Sequence, residues 1–299
     1  MTLTKLTYRI GIDLGGTKME GIRLSSSGDI LQRERLPTPS GDYGATLKQI
    51  AHLVDQLAPD PTLPVGIGTP GSRSRASGLI RNANSTCLNG RPLLEDLTEL
   101  LQREVRIAND ADCFTLSEAA DGAGQATHTV FGVILGTGVG GGICVNGELL
   151  AGINGITGEW GHNPLPAPVS GSRDCYCGRS NCIETWLSGP GLSISYQAAT
   201  GELIPARAIA ELLVRGEAAA TDVIEQYCQQ LAAALAVVIN VIDPDIIVFG
   251  GGLSNIDLLY ERVPKLLAPH VFSDHVATRI MPAKYGDSSG VRGAAWLWP

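Results

Sequence analysis

Alternating apolar and polar positions open the chain. In Tyr8-Arg9-Ile10-Gly11-Ile12-Asp13 every second side chain shares a face, and after Gly15-Gly16 strand-like sequence resumes from Met19 to Leu24. A period of two broken by a glycine turn predicts a β-hairpin, and Ile30 to Arg35 extends it to a meander. The period then lengthens. Leu47, Ile50, Leu53, Val54 and Leu57 return every three or four positions, the spacing of one helical face. Beyond it, Val65 to Gly68 reads as a short buried strand, Pro92 to Leu101 as a helix, Val105 to Ala108 as a strand and Asp110 to Ala120 as another helix.

The second half repeats this opening in outline. Val130 to Leu135 is strand-like, Gly136-Thr137-Gly138 makes a turn, and Gly140 to Val145 returns as a strand. Recurrence of strand, glycine turn and strand suggests a duplicated α/β lobe. A long helical stretch from about Ala218 to Val241 feeds a strand, Asp245 to Phe249, that ends in Gly250-Gly251-Gly252, and Ser288 to Trp298 reads as a closing helix.

Composition narrows the function. The chain has 37 glycines in 299 residues, above the average of roughly 7%, and their clustering suits turns that approach a ligand closely. A net charge of −8 argues against nucleic-acid or anionic-membrane partners, which need a positive field. An anionic ligand must then be met by local dipoles. Met1 to Lys5 leads into strand-like sequence by Tyr8 with no room for a signal peptide's apolar region, and no apolar run is long enough to span a membrane, so a soluble, cytoplasmic protein is expected. Of seven cysteines only Cys175, Cys177 and Cys182 cluster, which is metal spacing rather than a disulfide framework. Cys87, Cys113, Cys144 and Cys228 read as small buried hydrophobes.

A phosphate is best held by backbone N–H groups, and glycine lets the main chain approach because no Cβ stands in the way. Asp13-x-Gly15-Gly16-Thr17-Lys18 offers such a turn between a carboxylate and a cation. Asp13 can hold hydrated magnesium, Thr17 and Lys18 can donate to phosphate oxygens, and Gly136-Thr137-Gly138 can close from the other half. Plain hairpin turns account for either motif alone; the pair, with Gly250-Gly251-Gly252 after a third strand, favours a nucleotide. No G-x-x-x-x-G-K-[ST] occurs, and the first glycines lead into a strand rather than a helix, so neither a Walker A loop nor a Rossmann fingerprint fits.

Gly11 to Lys18, Gly68-Thr69-Pro70-Gly71, Ala108-Asn109-Asp110-Ala111, Leu135 to Gly142, Gly158-Glu159-Trp160-Gly161-His162, the cysteine cluster through Glu184, and Phe249 to Gly252 follow one another along nearly the whole chain. In that order they resemble the ROK family of bacterial sugar kinases and repressors, within the hexokinase and actin superfamily. The resemblance implies an α/β, two-lobed actin-like (ribonuclease H-like) ATPase fold with a mixed sheet in each lobe and an interlobe cleft. Residues 1–115 with 287–299 would form a small N-terminal lobe, and 116–286 a large C-terminal lobe carrying a zinc loop. It implies ATP with Mg2+ at Asp13, Gly15, Gly16, Thr17, Lys18, Gly136, Thr137, Gly138 and Gly140, adenosine near Gly251 and Gly252, and a homodimer. The family's repressors need an added DNA-binding module, for which the roughly ten residues before Gly11 are too few.

Phosphoryl transfer to a hydroxyl needs a group that accepts its proton and holds its oxygen in line. Asp110, after a short strand and at a helix start, suits that task and suits an N-cap equally; the match of Asn109-Asp110 to the family's catalytic pair decides for the base. The resemblance also places Asn84, Asn109, Asp110, Glu159, His162 and Glu184 around the sugar. The segment Arg81 to Gly90 is similar to the fructokinase and mannokinase branch, which implies D-fructose phosphorylated at its 6-hydroxyl, with D-mannose also accepted. Glucokinase and N-acetylhexosamine kinase are the alternatives within the family. Trp160 departs from the aliphatic residue more common there.

Cys175-x-Cys177-x4-Cys182 with His162 upstream is the Cys3His set of a closed tetrahedral zinc site, structural because no position is left for water. In the family the same histidine touches the sugar through its other ring nitrogen. The cysteine loop is distant in sequence from both phosphate turns, so loss of the metal is expected to weaken sugar binding more than nucleotide binding.

Overall fold

The computed structural model describes residues 7–58 and 60–299; Met1 to Lys5, read above as too short for a signal peptide, lies outside them. β1 (Tyr8–Leu14), β2 (Lys18–Ser25) and β3 (Ile30–Pro37) form the antiparallel meander that the alternation predicts. α1 (Tyr43–Leu57) starts at Asp42, whose side chain accepts from the Ala45 N–H, and it buries Ile50, Leu53, Val54 and Leu57. β4 (Val65–Thr69) returns parallel to β1. A small hairpin, β5 (Ser72–Arg73) and β6 (Ile80–Arg81), follows it. α2 (Leu93–Leu101) then leads into β7 (Val105–Asn109), parallel to β4. The first sheet therefore runs β3-β2-β1-β4-β7.

α3 (Asp110–Ala120) leaves β7 and packs on the second sheet through β8 (Thr129–Leu135) and β9 (Val139–Val145). β10 (Glu148–Leu149) completes another antiparallel meander. After α4 (Ile183–Leu187), α5 (Gly189–Thr200), α6 (Ala206–Val214) and α7 (Ala218–Ile242), β11 (Ile246–Gly250) joins β8 in parallel. α8 (Leu258–Leu266) and β12 (Arg279–Pro282) finish an order of β10-β9-β8-β11-β12. Both sheets thus carry one plan, an antiparallel meander followed by two parallel strands, and the repeat read from the glycine turns extends to whole sheets. α4, α5 and α6 lie between Cys182 and the long helix, a stretch where the pattern predicts no helix by periodicity: α4 has five residues, and α5 opens on Gly189-Pro190-Gly191.

α9 (Ser289–Trp296) returns to the first sheet, as the family resemblance implies. Its approach is backbone to backbone. A Cβ at Gly66 of β4 would stand 1.8 Å from Ala294 O, and one at Gly293 would stand 1.6 Å from Cys113 O on α3. Glycine at these positions is what lets α9 wedge between β4 and α3. The buried Glu118 carboxylate of α3 fastens the crossing, accepting from Ser289 Oγ at 2.7 Å and from the N–H groups of Ala123 and Lys284 at 2.8 and 3.1 Å. Among the described residues no helix is long and apolar enough to cross a membrane.

Candidate active site

Where β1 turns into β2, Thr38 takes two carbonyl oxygens of the turn: its hydroxyl donates to Gly15 O at 2.7 Å and its N–H to Thr17 O at 2.9 Å. Among the described residues nothing accepts from the N–H of Gly16 or Thr17, and Gly16, Thr17 and Lys18 are exposed. Those donors are free for phosphate oxygens.

Asp13 near the end of β1 and Asp110 at the start of α3 line one cavity of about 310 Å³ together with Gly15, Gly16, Asn84 and Ser85. Asp110 is not the cap of its helix. Asn109 holds that position, with Oδ1 accepting from the Ala111 N–H at 2.9 Å while Nδ2 donates to Gly71 O at 2.8 Å. Asp110 Oδ1 accepts from the same N–H at 2.8 Å, and the Asn109 side chain also bonds this carboxyl. These bonds hold the carboxylate at the wall of the cavity.

Burial raises the Asp110 carboxyl above its ordinary value, against the Ala111 N–H and Asn109, which favour the charged form. Asp13 is pushed up to about 6 by burial, then by the charges of Asp110 and Glu20, with Lys18 opposing. Asp112, which the sequence reading passed over, is pushed up to about 7 by burial and by Asp110 and Glu159. Crowded, desolvated carboxylates of this kind mark functional sites, and a divalent cation beside Asp13 would relieve them.

The crowding carries a stability cost that can be read directly. A folded-state pKa above the unfolded one means that the folded chain binds more protons between pH 4 and 7, so this group's contribution becomes more destabilising as pH rises through that window. A tenfold change in proton affinity is worth about 1.4 kcal/mol, and an amide keeps part of the burial cost. Asp112→Asn is therefore expected to raise the unfolding free energy by about 1 to 3 kcal/mol at pH 8. The gain should vanish below pH 4, where both states are protonated. Urea titrations at the two pH values measure it; a variant less stable than the parent at pH 8 would refute it.

The second glycine turn lies between β8 and β9. Gly136 N donates to Gly138 O at 3.0 Å, Gly189 N donates to Gly136 O at 2.8 Å, and Val139 N donates to Glu184 Oε2 at 2.9 Å. A Cβ at Gly138 would sit 2.6 Å from that same oxygen, so the glycine makes room for the carboxylate. Glu184, assigned above to the sugar, braces the second glycine turn. It stands in the first turn of α4, whose N-cap is Cys182.

Cys182 belongs to the cysteine cluster. The ligand atoms of His162, Cys175, Cys177 and Cys182 all lie within 4.8 Å of one another. Cys175 Sγ is 3.5 Å from His162 Nδ1, and Cys177 Sγ is 3.6 Å from Cys182 Sγ. A tetrahedron with Zn–S bonds of about 2.3 Å has edges of roughly 3.5 to 3.8 Å, so the donor set fits zinc in kind, and these two of its six edges fit in length. Gly178, at φ +85, makes the tight turn between the ligands. His162 Nε2 lies 2.9 Å from the Tyr176 hydroxyl, a partner the sequence reading did not foresee although Tyr176 sits between two cysteine ligands. The cysteine loop is remote from the phosphate turns in sequence, yet Cys182, α4 and Glu184 connect it directly to the second one.

The cavity gathers Asp13, Gly15, Gly16, Asn84 and Asp110, all from the first sheet's side, with Asn109 beside them; Glu159, His162 and Glu184 do not line it. The profile of the ROK family matches residues 9–299, which takes in every one of these elements. The chain belongs to the ROK family. It is 40% identical to an N-acetyl-D-glucosamine kinase of Haemophilus influenzae, with 96% of this chain and 98% of that one covered. It is 42% identical to another of Yersinia pseudotuberculosis, with 96% and 97% covered. Among solved structures, a ROK hexokinase from Thermus thermophilus superposes with a TM-score of 0.86 at 26% identity, covering 97% of each chain.

Several residues of the ROK pattern have structural tasks. Gly140 O accepts from Trp160 Nε1 at 2.9 Å, and the buried indole meets Phe131 edge to face. Trp160 thereby anchors the loop that carries Glu159 and His162. Gly251, at φ +82, lies where a Cβ would stand 2.5 Å from Leu135 O, which sets the last glycine triplet against the strand leading into the second turn.

Proposed function

We propose that this ROK protein is an ATP-dependent sugar kinase that phosphorylates N-acetyl-D-glucosamine at its 6-hydroxyl. The observation that carries the reaction class is the cavity where Asp110, Asp13 and the first glycine turn meet. The substrate rests on the N-acetyl-D-glucosamine kinases of Haemophilus influenzae and Yersinia pseudotuberculosis, aligned with almost the whole chain. They favour the amino-sugar alternative over D-fructose, for which residues 82–90 were the only ground.

In this reading the Asp110 carboxylate accepts the hydroxyl proton as the sugar oxygen bonds the γ-phosphorus. The bond from that phosphorus to the β,γ-bridging oxygen breaks, and ADP leaves with the electron pair. The N–H groups of Gly16 and Thr17 and the Lys18 ammonium hold the phosphates from one side and the Gly136 to Gly138 turn from the other. Magnesium, when bound with ATP near Asp13, neutralises charge on the β- and γ-phosphates. Asn84, Asn109, Glu159 and His162 bind sugar hydroxyls. The lobe division at 115/116 falls inside α3, which packs on α9 as well as on β8 and β9, and it belongs to this proposal. So does a structural zinc at His162, Cys175, Cys177 and Cys182, supported by the fit of the donor set. Phosphorus and carbon NMR of the product tests the reaction: coupling of phosphorus to C6 of the amino sugar is expected, and phosphate on C1 or no phosphorylated sugar would overturn it.

A further inference from the structure

Arg81 ends the small hairpin of β5 and β6, which packs on β7 at the first sheet's side. Its guanidinium reaches the other side. Nη2 donates to Asn154 O at 2.9 Å and to Gly155 O at 3.5 Å, while Nε donates to Ser72 Oγ within the hairpin at 3.4 Å. Among the described residues Arg81 has no carboxylate partner. A guanidinium fork is suited to an acid; here its charge is turned on two successive main-chain carbonyls of a loop 73 and 74 positions away. The approach is close, since a Cβ at Gly155 would meet Arg75 Cγ at 3.4 Å and Arg73 O at 3.5 Å, both on the same hairpin.

The loop that Arg81 holds joins β10 to the 3-10 turn Trp160–His162. No apolar core anchors its tip, where Ile153 and Ile156 are 85% and 50% exposed. It is stiff all the same. Gly152 N donates to Thr157 Oγ1 at 2.9 Å, Gly155 N to Gly152 O at 3.1 Å and Glu159 N to Ile156 O at 3.2 Å. Its far end is pinned at Gly158, φ +86, where a Cβ would stand 2.1 Å from Gly141 O of β9. The bond from Arg81 therefore ties the hairpin to the second sheet and not to a free loop. On its own side Arg81 leads into an equally closed segment: Asn89 Oδ1 accepts from the Ala83 N–H at 2.9 Å and Nδ2 donates to the Ala83 carbonyl at 3.0 Å. Asn84, next in the chain, lines the cavity of Asp13 and Asp110.

We infer that Arg81 is a positioning residue for the sugar, setting the separation between Asn84 on the first sheet's side and Glu159 on the second's. The inference rests on the proposed reading of both residues as sugar contacts of an N-acetyl-D-glucosamine kinase. A ligand gripped from two sides binds well only while the grips are held at the right separation beforehand. The main crossing between the sheets runs through α3 and α9, and one crossing leaves rotation about itself. Arg81 supplies a second tie, on different elements, that opposes this rotation.

The test measures, by calorimetry without nucleotide, the Kd for N-acetyl-D-glucosamine of the parent, Arg81→Ala, Arg81→Lys and Arg73→Ala. A hydrogen bond from a charged group is worth roughly tenfold or more in an equilibrium, so Kd is expected to rise about tenfold in Arg81→Ala. Lysine keeps the charge without the fork, and a rise of about threefold is expected for Arg81→Lys. At saturating sugar and ATP, kcat of both should stay within about threefold of the parent, because Asp110 stands on another element. Arg73 is the control: it donates to Gly78 O at 3.0 Å and pairs with Glu95 on α2, so Arg73→Ala loosens the hairpin without removing the tie and should leave Kd unchanged. An unchanged Kd in Arg81→Ala, or an equal rise in Arg73→Ala, would overturn the inference while leaving the kinase reading intact. A parent that neither binds nor phosphorylates N-acetyl-D-glucosamine would overturn the substrate reading and the inference with it.

Discussion

Asp110→Asn is expected to lower kcat by roughly 100- to 10,000-fold, the usual cost of removing a general base, while sugar binding stays measurable. The amide is nearly isosteric, and its Oδ1 can still accept from the Ala111 N–H, which Asp110 Oδ1 meets at 2.8 Å. Asn109 remains the helix cap. What disappears is the second carboxylate oxygen as a proton acceptor. Trp160 lies beside Glu159, and titrating its fluorescence with sugar would report binding separately from turnover. The pH dependence has a definite sign: burial raises Asp110 above its ordinary value, and it acts as an anion, so activity of the parent should fall as pH drops into the acid range. Turnover of Asp110→Asn within a few-fold of the parent, with binding intact, would remove Asp110 from its role.

Cys182→Ser is expected to empty the zinc site and to raise the KM for sugar and for ATP together. Serine is a poor zinc ligand, so metal content by elemental analysis should fall from one per chain toward none. The double effect follows from the connection described above. Cys182 caps α4, α4 presents Glu184, and Glu184 Oε2 holds the Val139 N–H at the end of the second glycine turn. A hydrogen bond to a charged group is worth about 1.5 to 3 kcal/mol, or roughly 10- to 150-fold in binding at about 1.4 kcal/mol per factor of ten. His162 and Glu159 stand on the loop that a bound zinc would tie down, which is the reason to expect the effect on sugar. A metal-free parent with normal constants would refute the zinc. A rise confined to the sugar constant would show that Glu184 holds its place without the metal.

Much of this architecture was legible because its signals are local. Period-two runs around Gly15 and Gly136, the helical spacing from Leu47 to Leu57, and Asp110 to Ala120 all appear in the structure where the pattern puts them. The cluster of His162 with three cysteines was legible through residue type and spacing alone. What escaped depends on contacts distant in sequence. Thr38 serves the first turn from beyond the next two strands, and Glu184 reaches the second across 45 positions. Asp112 offered one hint, as the next acid after Asp110 in a polar pair, but its crowding by Glu159 exists only once α3 and the loop after β10 are folded together. The fructose reading is not supported by the N-acetyl-D-glucosamine kinase relatives; of its segment, residues 84–88 line a cavity whose shape also depends on Leu14 and Pro39, which are distant in sequence.

The central claim is amino-sugar phosphorylation at the cavity of Asp13 and Asp110, and the most direct measurement is ADP release with ATP and magnesium across N-acetyl-D-glucosamine, D-glucose, D-mannose and D-fructose. The account predicts kcat/KM for N-acetyl-D-glucosamine at least tenfold above D-fructose and D-mannose, a difference of about 1.4 kcal/mol in transition-state stabilisation. D-Fructose exceeding it by that margin, or ADP release that no sugar increases, would contradict the account.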